Sequence, residues 1–322
     1  MQYSIRHITK FEYDRSICES VMEVRVCPRT EATQHCYSHV LTVTPHAQLF
    51  SYQDFMGNVV HHFDLPGKHD RLELESRALV EVHPVPELPA SLPPSAWDEL
   101  ESIVEHEDHL EMTLPSRFTF PSELSTSFAK ELSIEKRDDP LSLLRELNSS
   151  IYHAFEYSPR STHANSPIDD ALRIRRGVCQ DFAHIFITLV RGLGIPCRYV
   201  SGYLFHRTGA DGDRSAEDGS HAWVEVFLPQ LGWVGFDPTN NILAGERHIR
   251  AALGRDYADV PPTRGIFSGK ARSALHVGVH VQEASFVPRV ETMPEMARVV
   301  QGENLDYDGL LAAHQQQQQQ QQ

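Results

Sequence analysis

The sequence predicts an α+β protein: an N-terminal all-β, sandwich-like domain followed by a core of helices and strands. Three observations lead there. Residues 38–45 and 72–82 show partial period-two alternation, the mark of strands with one buried face. Residues 182–193 are almost continuously apolar, and Gly192, Gly194 and Pro196 close that run as a helix end does. Three strand-like runs follow, at 197–205, 221–228 and 232–237.

Composition bounds the function. The 322 residues leave room for about two domains. With 40% hydrophobic and 23% charged residues, the chain can bury a sizeable core. A net charge of −15, with no dense basic block, argues against nucleic-acid binding, because phosphate contacts need Lys and Arg. It also disfavours anionic membranes. The first residues lack the apolar region of a signal peptide, and no stretch approaches the roughly 18 apolar residues of a membrane span. The five cysteines, Cys18, Cys27, Cys36, Cys179 and Cys197, match no zinc ribbon or C-x-x-C spacing. A reduced, cytoplasmic setting is expected.

Taken in order, residues 1–82 form the β-rich domain, with a turn at Asp54-Phe55-Met56-Gly57-Asn58 between two of its strands. His61 and His62 would point to opposite faces of a strand, which makes them poor joint metal ligands. Residues 83–120 open with Pro84, Pro86, Pro89, Pro93 and Pro94 and read as a semi-rigid linker. The core spans 121–290. Asp138-Asp139 caps a helix running from Pro140 towards Phe155, and Ser166-Pro167 starts another. A helix then begins near Cys179. Its polar residues Gln180, His184, Thr188 and Arg191 fall on one narrow stripe, and such an apolar helix is mostly buried. The loop 206–219 is long and exposed, and His276 to Val281 alternates as a last strand would. Residues 291–322, ending in eight glutamines, form a tail that cannot bury a core.

The chemistry gathers around Cys179 in Arg176-Gly177-Val178-Cys179-Gln180-Asp181-Phe182. At a helix start the free N–H groups and the dipole favour a thiolate, and the same groups can hold an oxyanion. His221 would take the thiol proton and return it to the leaving group; Asp237 would orient the imidazole. His184, ~7.5 Å along the helix and turned by ~140°, is not expected to reach the sulfur. Each residue also has a bland reading. A Cys among apolar residues is more often core, as expected of Cys197, and an Asp before Pro-Thr commonly caps its own turn. A geometric condition separates the readings. His221 shares a strand face with Trp223 and Glu225. Asp237 joins that face only if the hairpin loop has an odd length, such as Pro229-Gln230-Leu231.

As a set, Arg-Gly-Val-Cys179-Gln-Asp-Phe-Ala-His, Arg198-Tyr199-Val200-Ser201-Gly202-Tyr203, His221-Ala-Trp-Val-Glu-Val and Gly232-Trp-Val-Gly-Phe-Asp237-Pro-Thr-Asn resemble the bacterial transglutaminase-like superfamily of cysteine proteases. The β-rich start resembles the N-terminal domain that accompanies this core. The resemblance implies a papain-like core with Cys179 as nucleophile, His221 as base and Asp237 as orienting acid. It implies a thioester intermediate on a peptide or protein substrate, resolved by water or by an amine. We expect hydrolysis first, Gln-to-amine transfer second, and a non-catalytic peptide-binding module as the rival from another class. No cofactor or metal is expected; Asp211-Gly212-Asp213 is too short for a calcium loop.

Overall fold

The structure is a computed structural model that describes residues 1–106, 109–207, 212–216 and 218–286. The expected tail, 291–322, lies outside the described residues. Strands β1 (Gln2–Val24), β2 (Gln34–Thr44), β3 (Phe50–Gln53) and β4 (Val59–Val82) open the chain. Alternation is their organising rule. Tyr3, Ile5, His7 and Thr9 are buried along β1, and Leu72, Leu74, Ser76, Ala78, Val80 and Val82 along β4. The two long strands pair antiparallel, with register shifts between Glu12 and Glu19. Such irregularities bend a ribbon. One half then carries β2 along Glu73 to Val82, and the other carries β3 along Val59 to His62. Tyr13, Met22, Leu41, Val43, Phe63 and Leu72 fill the space between the halves, which makes the domain sandwich-like. The β3–β4 turn is closed by the Asp54 carboxylate, which accepts from the Met56 and Asn58 N–H groups, with Gly57 at φ +73°.

Residues 83–120 are more than a linker. Beyond the prolines lie α1 (Ala96–His106) and a short 3₁₀ turn (Leu110–Thr113). Ala96 and Leu100 pack into the core, an i,i+4 pair that the surrounding acidic residues mask in the sequence. Then come α2 (Glu123–Glu131), α3 (Pro140–Ala154), β5 (Glu156–Tyr157), α4 (Ile168–Ile174), β6 (Arg176–Gly177) and α5 (Cys179–Gly192). Asp139 caps α3 by accepting from the Leu141 and Ser142 N–H groups. Ser166 does not cap α4. Pro167 holds that position, and the Ser166 hydroxyl accepts from the His163 N–H instead. His184, Thr188 and Arg191 of the α5 polar stripe are buried along with its apolar faces, because residues 110–119 and 255–257 lie over them, while Gln180 at its start is half-buried. His184 Nε2 accepts from the Tyr257 N–H at 3.1 Å. The Arg191 guanidinium donates to Met112 O, Ser116 Oγ, Thr119 Oγ1, Cys197 O and Arg255 O.

The core sheet holds β7 (Cys197–Leu204), β8 (His221–Leu228), β9 (Gly232–Asp237), β10 (Ile242–Leu243) and β11 (His248–Gly254) in the antiparallel order β10-β9-β8-β7-β11. Helix α5 covers one face through Phe182, Phe186 and Val190 against Tyr199, Val224, Val226 and Phe236. The other face meets the N-terminal domain, where Tyr203, Ile249 and Ala251 pack on Tyr3, Ile5, Ala78 and Val80. Asn58 at the β3–β4 turn exchanges two 2.8 Å hydrogen bonds with the backbone of Leu253. Gly202, paired with His221 across β7 and β8, must lack a side chain. A Cβ there would sit 2.1 Å from Ile249 O and 2.8 Å from the Trp223 ring.

Glu225 lies on this second face at 1% exposure. Arg198 donates to it at 2.7 and 2.9 Å, and Arg250 also bonds it while reaching Glu31 of the N-terminal domain at 3.3 Å. Burial pushes this carboxyl up, but the two guanidinium groups outweigh it and hold it below its ordinary value. Replacing the buried Glu225 by Gln leaves two half-buried cations short of charge. We expect a loss of about 3 kcal/mol in urea unfolding; a loss below about 1 kcal/mol would show that the network is solvated.

The last two strands, β12 (Thr263–Ser268) and β13 (Ser273–Glu283), return to the N-terminal sheet, where β12 pairs with Glu19 to Val24 of β1 and β13 with Tyr3 to Tyr13. They correct the expectation that the core runs to residue 290. Alternation at His276 to Val281 marks a strand but not its partner, and the open edge of β1 accepts it.

Candidate active site

Cys179 is the first residue of α5 and is partly exposed. The turn that presents it is built from the chain around it. Val178 at the N-cap offers no side-chain acceptor, so Asp181 reaches back and accepts from the Val178 N–H at 2.8 Å. Thr162 donates to the same carboxylate oxygen at 2.6 Å. Gly177 permits that approach, since a Cβ there would stand 2.9 Å from the Asp181 side chain. Burial pushes the Asp181 carboxyl up against these hydrogen bonds.

The β8–β9 hairpin meets the odd-loop condition. Leu228 pairs with Gly232 across a loop of Pro229, Gln230 and Leu231, and the register continues to Val224 opposite Phe236. One step further places Asp237 opposite Trp223, diagonal to His221. His221 Nε2 and Asp237 Oδ2 are 2.8 Å apart, at 3% and 0% exposure. Ala222, Val224 and Val226 of the same strand belong to the α5 cluster, so parity turns His221 to the other face. It still stands close enough to Cys179, which like His221 heads its element, for the sulfur to raise its basicity.

Asp237 makes contacts of both kinds weighed for it. Its Oδ1 accepts from the Thr239 and Asn240 N–H groups, capping the turn. Its Oδ2 accepts from His221, from Asn240 Nδ2 at 2.8 Å and from His248 Nε2 at 3.2 Å. Burial raises this carboxyl, but His221 and the other donors overwhelm that and hold it well below the usual carboxylate range. For His221 burial favours the neutral ring. The Asp237 charge and hydrogen bond, joined by the Cys179 thiol, win and push it up to about 10. With Nε2 committed to Asp237, Nδ1 is the nitrogen left for the thiol. It has no close hydrogen-bond partner, so the thiol contact is the looser of the two.

Other candidates sort themselves. His184 is buried beneath Tyr257 and stacked on Phe118, with burial as the main cause pushing it down to about 3. Cys197 is buried in the core. Tyr157, Tyr199 and Tyr257 all stand close enough to Cys179 for its charge to raise their phenols, after burial itself. Among the described residues one trio, His221, Asp237 and His248, brings metal-type donor atoms within 4.8 Å of one another. Its hydrogen bonds fit protons rather than a cation. His248 Nδ1 accepts from the Gly245 N–H at 3.2 Å, so its Nε2 carries the hydrogen and has no lone pair to offer. Asn240 and His248 were not anticipated. Asn240 was legible as the residue closing Asp-Pro-Thr-Asn, whereas nothing near His248 in the sequence distinguishes it from any lone strand histidine.

Fold and site define a papain-like α+β protein with a thiol at a helix start beside a buried imidazole–carboxylate pair. Residues 126–238 match the Transglutaminase-like superfamily, and residues 3–81 match the Bacterial transglutaminase-like N-terminal region. The chain belongs to the transglutaminase-like superfamily. An uncharacterised protein of Mycobacterium leprae is 33% identical over 275 residues, covering 85% of this chain and 96% of its own. A protein-glutamine gamma-glutamyltransferase of Pseudomonas aeruginosa is 31% identical over 126 residues, 37% of this chain and 19% of that one. A solved structure of a candidate cysteine protease from Cytophaga hutchinsonii shares the fold, with a TM-score of 0.66 at 23% identity over 89% of this chain and 93% of that one.

Proposed function

We propose that the chain is a cysteine-dependent amide-bond enzyme that hydrolyses a peptide or isopeptide bond through a thioester on Cys179. The His221–Asp237 pair, 2.8 Å apart and buried beside the thiol, carries this reading. A buried carboxylate that keeps an imidazole protonated supplies the counter-charge a thiolate nucleophile requires. In the resting pair the Cys179 proton already sits on His221 Nδ1, and the thiolate sulfur attacks the amide carbonyl. The first-turn N–H groups of α5 hold the oxyanion. The C–N bond breaks as His221 returns the proton to the departing amine, leaving a thioester. Water, deprotonated by His221, attacks that thioester; the C–S bond breaks and the acid leaves. An amine in place of water would give acyl transfer. The Pseudomonas aeruginosa relative, named for that reaction, supports it as the second reading. The reading also places the protein in the cytoplasm, on the strength of five unpaired cysteines; recovery from a periplasmic fraction would overturn that.

The thiol can be tested without a substrate. Iodoacetamide at about pH 6–7 should alkylate Cys179 at least roughly ten-fold faster than the exposed Cys18 in the same chain, followed by peptide mass spectrometry. Equal rates would leave a peptide-binding module as the better account.

A further inference from the structure

The thiol reading places two buried histidines on one carboxylate oxygen. Their ring centroids are 6.1 Å apart, and both Nε2 atoms lie within hydrogen-bond reach of Asp237 Oδ2. Two imidazolium ions this close repel, and a single carboxylate can neutralise only one. Some feature must therefore select which histidine becomes the cation.

We propose that His248 is a positioning residue, locked as the neutral Nε2–H tautomer by the Gly245 backbone, so that it donates to Asp237 and reserves the proton-carrying role for His221. The inference rests on the thiol reading of the site. Its geometric basis is a closed turn. The His248 N–H donates to Gly245 O at 2.9 Å, and the Gly245 N–H donates back to His248 Nδ1 at 3.2 Å. The ring is thus tied to its own backbone through the nitrogen away from Asp237. Protonating Nδ1 would set two N–H donors against each other in a site at 1% exposure. Trp223 packs edge-on to the His248 ring at 5.1 Å and stacks on His221 at 6.0 Å, which leaves neither ring free to turn. His221 has no comparable lock, since its Nδ1 has no hydrogen-bond partner among the described residues.

The surrounding charges agree with this division. Asp237, His221 and Arg247 face His248. Burial is the main cause lowering its basicity, and His221 and Arg247 add to it against the pull of Asp237. Asp237, Cys179 and His248 face His221, which is raised. As one of three donors on Oδ2, His248 also takes up part of the carboxylate charge that His221 would otherwise hold alone.

Two-dimensional ¹H–¹⁵N correlation of the histidine rings at about pH 7 reads this directly. In the wild-type protein His248 should show a protonated Nε2 and a bare Nδ1, and His221 should show both nitrogens protonated. In His248→Leu the lost donor leaves more carboxylate charge to His221, so the His221 Nε2 proton should move downfield. In His248→Gln, whose amide N–H can take the place of Nε2–H, that resonance should stay near its wild-type position. Two ring protons on His248 in the wild type would overturn the proposal whether or not the Leu variant folds. So would a Gln variant that shifts His221 as far as Leu does, or a folded Leu variant that loses thermal stability with the His221 resonance unmoved. None of these readouts depends on turnover. Slow alkylation of Cys179 would sink the thiol reading and leave the tautomer result standing.

Discussion

Cys179→Ala should abolish thioester formation and any amide turnover, by at least roughly 10⁵-fold, while leaving the fold intact. The size of the effect follows from the chemistry. Alanine has no atom that can carry the acyl group, and neither of the other groups at the site can substitute for a nucleophile. The structural cost is small because Cys179 lies at the partly exposed start of α5 and makes only peripheral contact with the core. Trapping experiments with an activated acyl donor, read by intact mass, should show an adduct on the wild-type chain and none on the variant. Full turnover in Cys179→Ala would sink the mechanism, and a collapsed melting curve would mean that the thiol is structural.

Asp237→Asn should cost roughly 10³- to 10⁴-fold in turnover, less than the loss of the nucleophile itself, because it disturbs the orientation and charge of His221. It should also cost about 3 kcal/mol of stability near neutral pH. The reason lies in its partners. Asn can keep the Oδ1 contacts to the Thr239 and Asn240 N–H groups, but its amide nitrogen would face three donors, from His221, Asn240 and His248. The pH dependence has a definite sign. The folded value of His221, about 10, lies above its ordinary 6.5, so the folded state binds that proton more tightly than the unfolded chain does. Its contribution is fully present below about 6.5 and is lost as pH rises towards 10. The Asp237 carboxyl moves the opposite way, and its contribution is lost only in acid, below the usual carboxylate range. The stability gap between wild type and Asp237→Asn should therefore be widest in mildly acidic solution and narrow on approaching pH 10. A gap that is flat with pH would show that the pair carries no charge. A turnover loss equal to that of Cys179→Ala would mark Asp237 as structural.

Much of this arrangement is local in origin and so was readable along the chain. The start of α5 at Cys179 is written in Gly177 before it and in the apolar run after it. The hairpin register was narrowed to a condition on loop length, because strand parity converts a loop length into a choice of face, and the pairing of Leu228 with Gly232 meets that condition. The capping of α3 by Asp139 was equally plain. Other features depended on partners distant in sequence. Residues 263–283 look like strands for any sheet, and only the open edge of β1 draws them back to the N-terminal domain. The stripe from Gln180 to Arg191 looked like a polar seam. Its arginine is instead buried, because five acceptors scattered from Met112 to Arg255 converge on it.

The same division runs through the candidate site. Residue types and their order along the chain were enough to predict the α+β class and to bring forward Cys179, His221 and Asp237 as candidates, because helix starts and strand faces are set by neighbours a few positions away; the superfamily was legible as a resemblance of whole motifs. The second histidine on Asp237, its tautomer and the Arg250 contact joining the two domains came only from the folded chain. His248 and Asp237 are eleven residues apart on strands that are not neighbours in the sheet. No local period encodes such a meeting. It exists because the chain closes β11 against β7 and turns at Gly245, bringing a lone histidine to a carboxylate that already has one.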